Sequence, residues 1–206
     1  MAAHADSPAP SLVLDLALTI RHDGQGGVAD DLGDVEGLAV WVRERADALA
    51  DQVPGVRGFA ADPETLAAVR ELRAAVRSLF ARAVRPAEPS RADAQRLLPA
   101  GRALERLNAA AGAVPVVPCL AWPEGGAPTA GYRAAEAASL PDALSAALAR
   151  AAVAFLAGPD LARLRACHAP RCVRYFLKEH PRQEWCKPSC GNRARVARHY
   201  GRRSPA

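Results

Sequence analysis

Residues 167–203 read CHAPRCVRYFLKEHPRQEWCKPSCGNRARVARHYGRR. Four of the chain's five cysteines lie here, as Cys167-x4-Cys172, a gap of 13 residues, and Cys186-x3-Cys190. Two close pairs joined by a short loop suit a tetrahedral zinc site. Each pair wraps a tight turn around one side of the ion, and the loop carries the second pair to the other side. All four sulfurs would bind as thiolates, with bonds of ~2.3 Å. Four cysteines close such a site, whereas a catalytic zinc normally keeps three protein ligands and a water. The expectation is therefore one structural Zn2+ held by Cys167, Cys172, Cys186 and Cys190. His168 and His180 could stand in for a cysteine, but the set is already complete. Disulfides and unrelated thiols are the alternatives; a reducing cytoplasm weighs against the first and the clustering against the second. A segment of this length with few apolar groups cannot bury a core that folds alone. Structural zinc supplies ~10–16 kcal/mol of apparent binding energy coupled to folding. Tyr175, Phe176 and Trp185 are expected to form a small apolar cluster beside the metal.

Beyond Cys190 the sequence turns basic. Gly191 permits a tight exit from the metal turn, and Asn192 is read as the cap of a helix that starts there. On that helix Arg195, Arg198 and Arg202 fall at i, i+3 and i+7 and share one face. Val196 and Tyr200 share another, expected to pack on the zinc turn. An arginine face of this kind can lie against phosphates or enter a groove. The candidate nucleic-acid contacts are Asn192, Arg193, Arg195, Arg198, Arg202 and Arg203. In the bland alternative the helix is solvated and its arginines pair with the rest of the chain.

Charge separates this end of the chain from the remainder. Residues 160–206 carry 12 Lys and Arg against 3 Asp and Glu, a net of +9, while residues 1–159 carry 15 against 19, a net of −4. Ala, Arg, Pro and Gly abound, a bias that GC-rich codons would produce throughout, so arginine richness alone says little. The contrast between the two parts says more, because a mildly acidic body with a strongly basic end suits a polyanionic partner.

The remaining 159 residues read as mainly helical. Residues 1–10 are an Ala- and Pro-rich leader expected to be disordered. Residues 11–20 fit a strand or a short helix, and 22–33 a loop. Leu38, Trp41, Val42, Leu49 and Val53 have helical spacing over 35–53. Asp62 is a plausible N-cap with Pro63 at the first helical position, and Leu66, Val69, Leu72, Val76, Leu79 and Phe80 form an apolar stripe to about Val84. Ser90 opens another helix, kinked or broken near Pro99 and ending at Gly112. Residues 114–134, with Pro123-Glu-Gly-Gly126 in the middle, read as an irregular β-hairpin. Lone Cys119 in its apolar run is expected in the core. Leu140 to Ala157 returns to helix. The fold expected is a multihelical N-terminal domain over 11–159 with a small β-hairpin, then a four-cysteine zinc module over 160–206 ending in a basic helix.

The start of the chain lacks the basic region of a secretion signal, and its apolar run is broken by Asp15. The run Ala143–Ala157 is interrupted by Arg150 and short for a bilayer span of ~20 residues. A cytoplasmic protein with no membrane contact is expected. No phosphate-loop, nucleotide-binding or nucleophile-elbow motif is present, and His4 and His22 have no catalytic company. An enzyme is not expected.

Cys186-Lys-Pro-Ser-Cys190-Gly-Asn-Arg193, preceded by Trp185 and followed by Ala194-Arg-Val-Ala-Arg-His-Tyr200, resembles the CGNR zinc finger. Cys167, Cys172 and Tyr175-Phe176 fit the same pattern. In that family the finger usually follows an N-terminal domain called ABATE, in bacterial proteins predicted to be stress-induced transcription regulators. The layout around Leu14-Asp15-Leu16 and Trp41 is similar, although the family's early Asp-Phe-x-Asn-Thr stretch is Asp15-Leu-Ala-Leu18-Thr19 here, and Lys178 stands where an acidic residue is common. The resemblance implies a helical ABATE-like body and a DNA-binding finger. The function expected is stress-response transcription regulation, with DNA as partner and a small-molecule effector or a second copy as partner of the body. The alternatives are a protein-interaction adaptor with a purely structural zinc module, and a thiolate redox switch.

Overall fold

The computed structural model describes residues 11–25, 27–93 and 96–201. The expected leader and the candidate contacts Arg202 and Arg203 lie outside them. Seven α-helices and three two-stranded antiparallel hairpins make up the described fold.

The longest helix, α4 (Pro63–Ala83), begins as its sequence dictates. Asp62 stays extended and its Oδ1 accepts the Thr65 amide at 2.8 Å, with Pro63 at the first helical position. The stripe from Leu66 to Phe80 is buried along its whole length. Around α4 pack α1 (Leu12–Leu18), α2 (Val35–Glu44), α5 (Ala100–Gly112) and α6 (Leu140–Ala157). Aromatics are scarce, so small side chains set the spacing. Ala143, Ala146, Ala147, Ala149 and Ala152 of α6 are all buried, which lets its neighbours approach closely. Leu16, Leu38, Val42, Leu107, Leu144 and Leu148 fill the space between. By length and composition α6 could cross a bilayer. Here it lies in the core, and its Arg150 donates to Gln52 Oε1 at 3.0 Å and the Val114 carbonyl at 3.2 Å.

Several sequence readings need correction. Residues 11–20 are the helix α1 followed by the start of a strand. The stretch read as a loop holds a hairpin, β1 (Ile20–His22) with β2 (Val28–Asp30), whose Asp30 is tied to Arg73 of α4. The helix expected over 35–53 breaks at Arg45 into α2 and the single turn α3 (Ala46–Leu49). After a 3-10 turn at Arg91–Asp93 the chain passes Pro99 and only then forms α5.

The hairpin at 114–134 exists, and its register is regular despite its prolines. β3 (Val116–Ala121) pairs with β4 (Thr129–Ala134) through six consecutive partners, and Pro118 opposes Tyr132. It stands away from the core. Cys119 is exposed, contrary to expectation, as are Leu120, Trp122 and Tyr132.

The last hairpin joins the two parts of the chain. β5 (Leu164–Ala166) pairs with β6 (Tyr175–Leu177). Leu164, Ala166 and Tyr175 belong to the main core, where the Tyr175 ring meets Phe80 edge-on at 5.4 Å. Tyr175 was expected beside the metal. It packs into the helical body instead, because alternate residues of a strand face opposite sides. Its neighbour Phe176 takes the metal side.

Candidate metal centre and basic helix

Cys167 and Cys172 sit on the turn that joins β5 to β6. The Cys167 amide donates to the Arg174 carbonyl at 2.9 Å and the Cys172 amide to the Ala169 carbonyl at 2.9 Å. Arg171 occupies the left-handed region, with φ of 63°, and closes this turn. Cys186 and Cys190 flank the start of α7 (Pro188–Gly201), where the Cys190 amide donates to the Lys187 carbonyl at 3.0 Å.

The four Sγ atoms lie within 4.8 Å of one another. Cys186 Sγ is 3.6 Å from Cys172 Sγ and 3.5 Å from Cys190 Sγ. A tetrahedron with ~2.3 Å metal–sulfur bonds has edges of about 3.8 Å, so the sulfurs already have the size of a zinc shell. Electrostatics agrees. Hydrogen bonds from Cys172 and Cys186 push the Cys167 thiol far down, while the same bonds push the Cys172 and Cys186 thiols up. Several thiolates this close repel one another and need a dication to hold them together. Three ligands are buried and Cys186 is half-buried. Phe176 and Trp185 pack over them with Ala169. The four cysteines hold one structural zinc ion.

Each residue after Cys190 has a structural reason. The Trp185 ring rests on Gly191, where a Cβ would meet Trp185 Cδ1 at 3.0 Å. Helix α7 starts at Pro188, a good first helical residue. Asn192 is therefore inside the helix and caps nothing; its Oδ1 accepts from the Arg195 guanidinium. Arg193 donates Nη2 to Cys190 Sγ at 3.1 Å and Nε to the Pro170 carbonyl at 3.2 Å. It thereby ties the helix to the first cysteine turn and adds a hydrogen bond to a metal ligand, a contact that orients and tunes such ligands.

Only the beginning of α7 is packed. Cys190, Gly191 and Ala194 are buried, and every described residue beyond Ala194 with a side chain is exposed. Val196 and Tyr200 are 54% and 66% exposed, so the face expected to cover the zinc turn does not. Arg195 and Arg198 stand on the exposed part.

Two features of the body bear on its function. A cleft of about 530 Å3 is lined by Asp15, Trp41, Arg45, Glu44, Arg21 and Arg174 among others. Inside it Arg45 donates to Asp15 Oδ2 at 3.3 Å and stacks 4.7 Å over the Trp41 ring. Trp41 was read at a helical apolar spacing and, with Asp15, in the layout shared with ABATE. The second feature is a buried polar network against the zinc module. Arg77 Nε donates to Asp93 Oδ1 at 2.7 Å, the Tyr175 hydroxyl donates to Asp93 Oδ2 at 2.7 Å, and Ser90 Oγ donates to the Val173 carbonyl at 2.8 Å. A signal was present, since Arg70, Arg73 and Arg77 recur at i, i+3 and i+7 beside the apolar stripe.

Residues 11–159 match ABATE, described as "putative stress-induced transcription regulator", and residues 163–203 match the CGNR zinc finger. Neither is an enzyme family. No curated protein matches the chain. With its finger ligands assembled around one zinc site and most of its length in the helical body, the chain belongs to the ABATE family and carries a CGNR zinc finger.

Proposed function

We propose that this chain is a cytoplasmic DNA-binding transcription regulator. The zinc module contacts DNA through the exposed part of α7, and the acidic body takes up the signal, as a small-molecule effector or a second copy. One observation carries the DNA reading: Arg195 and Arg198 project from a helix whose base is fixed by four zinc ligands, at the end of the chain that holds a net +9. Rigid anchoring matters because arginines that are already placed lose less freedom on meeting phosphates. Arg193 belongs to the zinc site in this reading, and Asn192, Arg195 and Arg198, with Arg202 and Arg203, form the contact surface. The effector reading is supported by the Asp15–Trp41 cleft, whose polar lining suits a small polar molecule.

The test is a polarisation titration of the zinc-loaded chain on duplex DNA at several salt concentrations. Affinity is expected to fall steeply with salt, and Arg195→Ala with Arg198→Ala to flatten the log–log slope by about 2, close to 0.9 per lost phosphate contact. Binding indifferent to salt and to this double substitution would sink the reading.

A second reading, an adaptor for another protein, is favoured by Val196 and Tyr200, apolar side chains left exposed on the same helix. Val196→Ser with Tyr200→Ser discriminates. Loss of DNA affinity only in the arginine variant supports the regulator; partner binding that survives nuclease and is lost only in the serine variant supports the adaptor.

A further inference from the structure

Four arginines line a cavity of about 120 Å3 between α4, the β1–β2 hairpin and the residues Ala92, Asp93, Arg96 and Leu97. Arg70, Arg73 and Arg77 line it from one face of α4, and the exposed Arg96 completes the lining. Two of the four are matched by carboxylates. Arg73 donates Nη1 and Nη2 to the two oxygens of Asp30 at 2.5 and 2.7 Å, and Arg77 donates Nε and Nη2 to the two oxygens of Asp93 at 2.7 and 3.1 Å. Arg70 donates to the uncharged carbonyls of Leu32 and Gly33 at 2.7 and 2.5 Å. The Arg96 side chain has no hydrogen bond or ion pair with the described residues. Burial raises the Asp30 carboxyl, but the bonds and charge of Arg73, the Leu32 amide and the charge of Arg70 together lower it, so it stays ionised. Among the described residues the cavity lining therefore holds four arginines against two carboxylates, a net of +2, in a site where Arg73 and Arg77 are only 6% and 4% exposed.

We propose that this cavity binds a small oxyanion of the phosphate type, with Arg70 and Arg96 supplying the uncompensated charge and the Arg73–Asp30 and Arg77–Asp93 pairs holding the walls. Guanidinium groups suit such a ligand because their planar forks match pairs of oxyanion oxygens. Size restricts the class. Pockets for drug-sized ligands and cofactors run to ~300–1,000 Å3, and 120 Å3 is about four waters' share of liquid volume. A tetrahedral oxyanion is of that size, while a nucleoside is too large.

The location gives the site something to act on. Arg77 also donates to the Val173 carbonyl at 3.4 Å, and Asp93 accepts from the Tyr175 hydroxyl. The side chains that wall the cavity are thus the ones that seat the zinc module on the body, and occupancy is felt between Cys172 and β6. The inference does not rest on DNA binding, and its test contains no DNA.

The experiment is calorimetric titration of the zinc-loaded full chain with inorganic phosphate at constant ionic strength, balanced with chloride. Saturable one-to-one binding is expected. Arg96→Ala and Arg70→Ala should each weaken it tenfold or more, while Arg195→Ala with Arg198→Ala should leave it unchanged. Arg96 is exposed, so its variant keeps the fold and decides the matter even if Arg70→Ala does not fold. Glycerol phosphate identifies the source: tighter binding than phosphate marks a phosphorylated metabolite, and no binding marks the free ion. Absence of saturable phosphate binding, or equal binding by the Arg96→Ala chain, would overturn the proposal.

Discussion

Tyr175 belongs to the zinc module by sequence and to the helical body by packing, and a Tyr175→Phe chain isolates what its hydroxyl contributes. The ring would still fill its place beside Phe80, but Asp93 would lose a buried donor. A cost of about 1–3 kcal/mol is expected, seen as a lower denaturant midpoint with zinc content unchanged. The same hydroxyl predicts an alkaline weakness. Burial first, then the charge of Asp93 and the bond to it, push the phenol well above its ordinary value. A group raised on folding stabilises fully below its unfolded pKa of ~10 and less as pH climbs toward the folded value. The native chain should therefore lose melting temperature above pH ~10 more steeply than Tyr175→Phe; parallel curves would contradict this. Arg193 supports a different prediction. Without its bonds to Cys190 Sγ and the Pro170 carbonyl, Arg193→Ala should bind zinc about 10–100-fold more weakly, measured by competition with a chelator. The four ligands were legible because their spacing is local. The partner of Arg193 was not, because Pro170 lies 23 residues away and only the fold brings it near.

Elements whose signals are local were read well. Helices α4 and α6 appear where caps, prolines and apolar spacing put them, since Asp62 and Ser139 each accept an amide of the first turn. The hairpin at 114–134 was found from its turn residues. What it packs against could not be read, because an apolar strand looks the same whether or not something covers it. Cys119 is the measurable consequence. It is exposed while the other four cysteines are gathered at the metal. A thiol reagent added to the zinc-loaded chain should label one cysteine quickly and the other four only after chelation. Slow labelling of all five would mean that Cys119 is covered. Helix α7 was misjudged at its start by four residues. The metal turn and the first helical turn are the same turn, and spacing alone does not show that overlap.

At the scale of the whole molecule, the body and the zinc module share a core. Leu164, Ala166 and Tyr175 come from the module's hairpin and Phe80 and Phe155 from the helices. Metal binding is therefore expected to stabilise more than the residues around it. Removing zinc with a chelator should lower the melting temperature of the entire chain in one transition, since ligation free energy is coupled to folding. A helical transition unmoved by zinc would show that the two parts melt independently. The sequence marked the two parts by charge and by cysteine spacing, and it hid the join. The join consists of long-range partners such as Ser90 with Val173 and Asp93 with Tyr175, more than 80 residues apart.

That join also bears on how such chains can be inherited and rebuilt. A finger cut away at residue 163 would carry Tyr175 into water and leave Asp93 and Arg77 facing a hole. Exchange of this finger between related chains should then succeed only when the donor brings a tyrosine of the same reach and the host keeps its Asp and Arg. Compatibility between lineages would be decided by three side chains that are neither zinc ligands nor among the exposed arginines.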